Sequence, residues 1–183
     1  MSEDLHAVIM ATTEKLRLSP ETACATFRSS SQLRERFRSD ISIRAHRLVV
    51  DEPPQLGGLD AGPNPIELLL AALGACQEIT YKAYATALGI ELRSVAVELE
   101  GDIDLRGFLG VDDTVRAGFQ QIRGQVRIDA DAAPDELAHL KRLVDTHCPV
   151  LDMLSLPVPV TLNLEKSAKS GIDHSSPLSG DGD

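Results

Sequence analysis

Asn64-Pro65-Ile66-Glu67-Leu68-Leu69-Leu70-Ala71-Ala72-Leu73-Gly74-Ala75-Cys76, running on to Leu88 and closed by Gly89, decides the architecture of this 183-residue chain. Asn64 is a capping residue, Pro65 suits the first helical position, and Gly89 stands where a left-handed C-terminal residue belongs. The spacing therefore predicts one long helix over Asn64–Leu88. Its apolar positions Leu68, Leu69, Leu70, Leu73, Cys76, Ile79 and Tyr84 go nearly all the way round, and a helix apolar on every side must be buried on every side. A single subunit of this length encloses such a helix with difficulty, so a second subunit is expected to help.

Toward the N-terminus, Asp51 to Pro63 reads as a loop, dense in Pro53, Pro54, Gly57, Gly58, Gly62 and Pro63. Before it, residues 25–50 read as strand. Ile41, Ile43 and Ala45 alternate with Ser42, Arg44 and His46, and Leu33 to Arg38 looks like a partly exposed neighbour. Residues 1–24 read as a helical appendage with an apolar stripe of Leu5, Val8, Ile9 and, less regularly, Leu16.

Toward the C-terminus, Val95, Val97 and Leu99 alternate with Ser94, Ala96, Glu98 and Glu100. Ile122, Val126 and Ile128 alternate with Arg123, Gln125, Arg127 and Asp129, and a Gly- and Asp-rich link from Gly101 to Gly118 joins these two strands. Asp135 to Thr146 is an amphipathic helix with Leu137, Leu140 and Val144 on one face. Pro149 interrupts it, because the residue before a proline disfavours helical geometry. A short helix from Pro149 to Leu154 is expected next, then a last strand with Val158, Val160, Leu162 and Leu164 on one side. The C-terminal tail, 166–183, is rich in Ser, Gly and Asp without periodicity and is expected to be disordered. Strands, long helix, strands, helix, strand is an α+β order with an antiparallel or mixed sheet, since no regular βαβ alternation is present. The layout is thus an appendage over 1–24, one domain over 25–165 and the tail. No internal repeat is visible.

Composition narrows the function classes. The formal charge of −10 and a sequence pI near 4.9 repel phosphates at long range, which argues against a nucleic-acid or anionic-membrane binder. The longest uncharged apolar stretch, Leu68 to Gln77, is about half the ~20 residues a bilayer needs. Glu3, Asp4 and His6 stand where a secretory segment carries Lys/Arg and then an apolar run, so a reducing, cytoplasmic compartment is expected.

Three cysteines do not make a disulfide framework. Cys76, mid-helix among Ala72, Ala75, Ile79 and Thr80, reads on its own as a small buried hydrophobe, and apolar burial raises a thiol pKa. Cys148 directly precedes Pro149 at the N-cap of the short helix. There free backbone N–H groups and the helix dipole favour a thiolate, with His147 adding to this when protonated; a chance cysteine at a helix junction is the competing reading. Cys24 has no basic neighbour closer than Arg28 and reads as packing. His139, His147 and Cys148 lack zinc-ligand spacing, so no metal is expected. Gly57-Gly58 lacks dinucleotide-loop spacing, and no GxSxG elbow is present.

The Asn64–Cys76 stretch resembles the central-helix motif of the OsmC/Ohr family. His147-Cys148-Pro149-Val150, followed by Leu154 and a Pro-Val-Pro-Val strand, is similar to that family's second cysteine motif. Asp51-Glu52-Pro53, Gly57-Gly58 and Gly62-Pro63-Asn64-Pro65 resemble the loop of many OsmC-like proteins, and Asp104-Leu105-Arg106-Gly107-Phe108-Leu109-Gly110 is similar to one subgroup. Together the likeness covers about residues 25–165. It implies an intertwined homodimer whose long central helices are wrapped by sheets from both subunits. It also implies a thiol peroxidase acting on organic hydroperoxides. The cysteine at Cys76 attacks the peroxide and becomes a sulfenic acid, the one at Cys148 condenses with it to a disulfide, and an external dithiol, lipoyl-type in the best-studied members, restores both. No other cofactor is implied.

The resemblance departs at one point. Peroxidase members place a glutamate ten residues before the first cysteine, where it orients an arginine on the thiolate. Here Ile66 holds that position, and the nearest carboxylate, Glu67, is displaced about 100° around the helix. Arg44 and Arg47 lie on the strand before the loop, and Arg47 is taken as the candidate cation. Two functions follow from the sequence: a cysteine peroxidase, favoured by both cysteines, and an OsmC-like stress-associated binding protein with little peroxidase activity, favoured by Ile66.

Overall fold

The computed structural model describes residues 4–166; the tail expected over 166–183 lies outside them except for its first residue. The chain forms helix α1 (Leu5–Leu18) and strands β1 (Ser30–Leu33), β2 (Ser39–Ile43) and β3 (His46–Val50). The long helix α2 (Pro65–Leu88) and strand β4 (Glu91–Ile103) follow. After them come a helical turn, α3 (Leu105–Phe108), strand β5 (Phe119–Asp131) and helices α4 (Pro134–His147) and α5 (Pro149–Ser155). The strands make two antiparallel sheets, β1-β2-β3 and β4-β5.

The ends of α2 are built as their residues dictate. The Asn64 side chain accepts from the Glu67 N–H at 2.9 Å, and the Glu67 carboxylate accepts from the Asn64 N–H at 2.8 Å. This reciprocal cap satisfies two N–H groups that the first turn otherwise leaves without partners. Gly89, at φ +72°, closes the other end by donating to the carbonyls of Ala85 and Thr86. Helix α2 lies across β4, and α4 packs beside it. Between them Tyr81, Ala85, Leu92, Leu140 and Val144 form the core of the subunit.

The β4–β5 hairpin follows the alternation of its sequence. Val95, Val97, Leu99, Ile122 and Ile128 are half-buried, while Arg93–Asp129, Glu98–Arg127 and Arg123 with Glu100 and Asp102 form ion pairs on the exposed face. A bulge at Arg93 breaks the pairing between Leu92 and Ser94. Because a bulge shifts the side-chain phase by one residue, Leu92 and Val95 both reach the core. The loop before α2 is organised by Asp51, whose buried carboxylate accepts N–H bonds from Glu52 (2.8 Å), Leu59 (3.0 Å) and Ala61 (3.2 Å). Burial acts to raise the Asp51 pKa, but the bonds from Glu52, Ala61 and Leu59 outweigh it and hold the carboxyl below its ordinary value. Gly58 is obligatory here: a Cβ would stand 1.7 Å from the Glu52 carbonyl oxygen.

Three expectations need correction. The alternation over Ile41 to His46 is not one strand but a hairpin. Ile43 pairs with His46, and Arg44, at φ +55°, takes the left-handed turn position. Likewise, Leu33 ends β1 and the chain turns over 34–38, with Arg36 at φ +51°. The expected last strand over Val158–Leu164 pairs with nothing among the described residues and is irregular, with Leu162 90% and Leu164 100% exposed. Within one subunit helix α2 is not covered on every side, which departs from no expectation. Leu73, Gln77, Thr80, Tyr81 and Ala85 are buried, whereas Ala72 and Ala75 are exposed and Ile79 is 70% exposed.

Candidate active site

The junction between α4 and α5 is a single residue. Cys148 caps both helices in an extended conformation (φ −76°, ψ 111°), with its N–H on the Val144 carbonyl at 2.9 Å and its side chain fully buried. The residue before Pro149 cannot continue the helix, so the chain turns there and α5 starts against α2. That turn brings Cys148 to Cys76, two residues far apart in sequence. Cys148, the Val150 N–H and the Thr80 side chain are the neighbours that act on the Cys76 thiol.

These contacts oppose one another. Burial is the largest influence and pushes the Cys76 thiol above the usual cysteine value; the Val150 N–H pulls it down, Cys148 raises it and Thr80 lowers it. The net direction is upward. The N-terminal amide of the short helix, assigned from sequence to the activation of Cys148, is therefore directed at Cys76. Thr80 lies one turn beyond Cys76, and its hydroxyl also bonds the Cys76 carbonyl at 2.7 Å. Neither Thr80 nor the Val150 amide was singled out in the sequence. The i,i+4 spacing of Cys76 and Thr80 was available as a signal; the amide contact was not, since it depends on how α5 docks.

The two supporting residues are placed elsewhere. Glu67 is engaged in capping α2. Nine residues from Cys76, it lies about 13 Å away along the helix axis. Arg47 is exposed on β3 with its guanidinium on the His46 carbonyl at 3.2 Å, and Arg44 bonds the His46 ring at 3.5 Å. None of the main influences on the Cys76 thiol is a cation. Cys24 is exposed and apart from the pair, which corrects its reading as packing. Among the described residues no cluster of His, Cys, Asp and Glu is suited to a metal ion, and no helix is long and apolar enough to cross a membrane.

A cavity of about 500 Å³ is walled by Leu69, Leu73, Leu99, Ile122, Leu151 and Leu154, with Arg116, Arg123 and Asp145 also facing it; Cys76 and Cys148 do not line it themselves. Leu73 and Gln77 flank Cys76 on α2, and the buried Gln77 amide contributes a polar group to the wall. The cavity also runs along Gly118 and Phe119 to Val126 of β5, whose edge away from β4 is unpaired among the described residues.

Comparison with known proteins places this geometry. The family model for OsmC-like protein matches residues 57–163, a span holding both Cys76 and Cys148. No curated protein matches the chain. Among solved structures, an OsmC-like protein from Mycoplasma pneumoniae superposes with a TM-score of 0.62 at 18% identity, covering 72% of this chain and 88% of that one. An organic hydroperoxide resistance protein OsmC from Legionella pneumophila, also described as a predicted redox protein, gives 0.55 at 20% identity over 71% and 89%. An organic hydroperoxide resistance protein from Elizabethkingia anophelis gives 0.52 at 16% identity over 70% and 87%. At these identities the superpositions establish the α+β fold, and the family match, covering more than half of the sequence, establishes descent: the chain belongs to the OsmC-like family.

Proposed function

We propose that this protein is a cysteine peroxidase of organic hydroperoxides, acting in the oxidative stress response. The observation that carries the reading is the meeting of Cys76 and Cys148, with a partly apolar cavity lined by their neighbours on α2 and α5, Leu73, Gln77 and Leu151. Both the Legionella and Elizabethkingia relatives are described as organic hydroperoxide resistance proteins. In the first step the Cys76 thiolate attacks the distal peroxide oxygen. The O–O bond breaks, sulfur loses two electrons to become a sulfenic acid, and the alkoxide leaves and takes up a proton as the alcohol. The Cys148 thiolate then attacks the sulfenic sulfur, forming the disulfide and releasing hydroxide, which is protonated to water. An external dithiol, lipoyl-type by family resemblance, exchanges with the disulfide and returns both thiols. The Val150 N–H and Thr80 hydroxyl favour the thiolate at Cys76 in the first step.

These donors do not overcome burial, so the thiolate needs a cation that one subunit does not bring. The reading therefore includes the homodimer. Three surfaces support it: the exposed Ala72–Ala75–Ile79 face of α2, the free edge of β5, and the unpaired apolar stretch from Leu156 to Leu164. A second copy that covers them also brings its β1–β3 sheet, where Arg47 is exposed and remains the candidate arginine. The cytoplasm, where thiols are kept reduced, suits the cycle.

The raised Cys76 pKa and the capping role of Glu67 favour one other reading, an OsmC-like stress-associated binding protein that uses the same cavity with little turnover. Titrating free thiols before and after one equivalent of cumene hydroperoxide separates them. A peroxidase loses the Cys76 and Cys148 thiols together and keeps Cys24; a binding protein keeps all three.

A further inference from the structure

The last residue of α4, His147, lays its imidazole on the ring of Tyr84 of α2, with centroids 5.4 Å apart and planes 15° from parallel. His147 is exposed and immediately precedes Cys148; Tyr84 is half-buried, eight residues beyond Cys76 on the same helix. We propose that the Tyr84–His147 stack is a positioning device for the thiol pair, holding the end of α4 on α2 so that Cys148 stays within reach of Cys76. The proposal rests on the reading of these two cysteines as a redox pair.

The argument starts from the junction. A helix C-terminus frays because its last carbonyls lack partners, and Pro149, without an N–H, removes one bond that would tie the turn together. Leu140 and Val144 anchor α4 in the core, but Val144 is a full turn before Cys148. Between that anchor and the thiol, the His147 ring reaches back to Tyr84 of α2. A stacked aromatic pair biases a local equilibrium by roughly two- to tenfold. Here the affected equilibrium is the fraction of time that the end of α4 holds Cys148 against Cys76.

Such a bias is visible in the redox equilibrium. Disulfide closure is easier when the dithiol state already holds the sulfurs together, so loosening that state weakens the disulfide relative to the dithiol. A contact that stabilises both states equally leaves the equilibrium where it was, and this separates positioning from plain packing.

The test equilibrates the full-length protein in glutathione buffers and quantifies the Cys76–Cys148 disulfide by peptide mass spectrometry. Two protein thiols exchange with glutathione disulfide to give the protein disulfide and two glutathione thiols, so no peroxide is involved. Tyr84→Leu and His147→Leu should each weaken the disulfide roughly three- to tenfold, raising its potential by about 14–30 mV. The double variant should go no further than the singles, because the pair acts as a unit. Tyr84→Phe and His147→Phe keep aromatic faces and should stay within about twofold of the parent. His147 is exposed, so His147→Leu decides the matter if Tyr84→Leu does not fold. Leucine variants with the parental potential overturn the positioning role while leaving the redox pair intact. A parent that forms no Cys76–Cys148 disulfide in any buffer overturns the redox reading and this proposal with it.

Discussion

Leu140 offers the clearest test of how α4, the helix that carries Cys148, is held. Its side chain is fully buried against Tyr81, Ala85, Leu92 and Val144. Leu140→Ala removes the methyl groups that fill the space between α4 and α2. The neighbours stand on rigid helices and a paired strand, so the gap collapses only in part, and the cost belongs in the upper half of the range for such changes, about 3–4 kcal/mol. For a domain of this size a urea slope of about 2 kcal/mol per molar turns that into a midpoint shift of about 1.5–2 M. Unfolding should be followed by circular dichroism at one fixed protein concentration, since dissociation of the proposed dimer would make the midpoint concentration-dependent. Leu137→Ala, on the same helix but half-buried, should cost less than half as much. A Leu140→Ala shift below about 0.5 M at an unchanged slope would refute the packing described here.

Thr80→Val keeps the shape of the side chain but removes the hydroxyl that pulls the Cys76 pKa down. The midpoint of its iodoacetamide alkylation against pH should move upward, and alkylation at neutral pH should slow; an unchanged profile means that Thr80 serves only the Cys76 carbonyl. Asp51, with its folded pKa held below the unfolded value of about 3.9, contributes stability that is fully present above that value. The contribution is lost as pH falls through the folded pKa, so the acid limb of stability should flatten in Asp51→Asn, and the urea midpoint at neutral pH should fall. An Asp51→Asn acid limb that matches the parent would contradict this. Gly74→Ala should stabilise the protein by about 0.5–1 kcal/mol, because Gly is a poor helix residue and the added Cβ meets only Leu99 Cδ1 at 3.7 Å. A destabilised Gly74→Ala would mean that something else occupies that space in the assembled protein.

Signals carried by adjacent residues were legible in the sequence. Asn64, Pro65 and Gly89 fix the ends of α2 because a cap is made by residues within a turn of it. The alternation of Val95, Val97 and Leu99 marks an inner face because strand side chains alternate whatever the partner. The same rule explains the failure over Val158 to Leu164: alternation states that a segment has two sides and names no partner to cover one of them. The turn at Arg44 was hidden because arginine carries none of the Gly, Asn or Asp signals of a left-handed position. At the site, both cysteines were legible, but the direction of the Val150 amide was not. Local reasoning gave the helix end to the residue that caps it, Cys148, whereas the docking of α5 on α2 gives it to Cys76. Glu67 was read for its charge when its spacing from Asn64 already marked it as half of a capping box.

The central claim is that Cys76 attacks and Cys148 resolves, and dimedone labelling of two variants after cumene hydroperoxide tests it most directly. In Cys148→Ser, Cys76 should be trapped as the sulfenic acid and, without dimedone, should go on to the sulfinic acid because nothing resolves it. In Cys76→Ser, peroxide consumption should stop and Cys148 should stay unlabelled. Label on Cys148 in Cys76→Ser, with none on Cys76 in Cys148→Ser, would reverse the roles, and no label in either variant would contradict the peroxidase altogether.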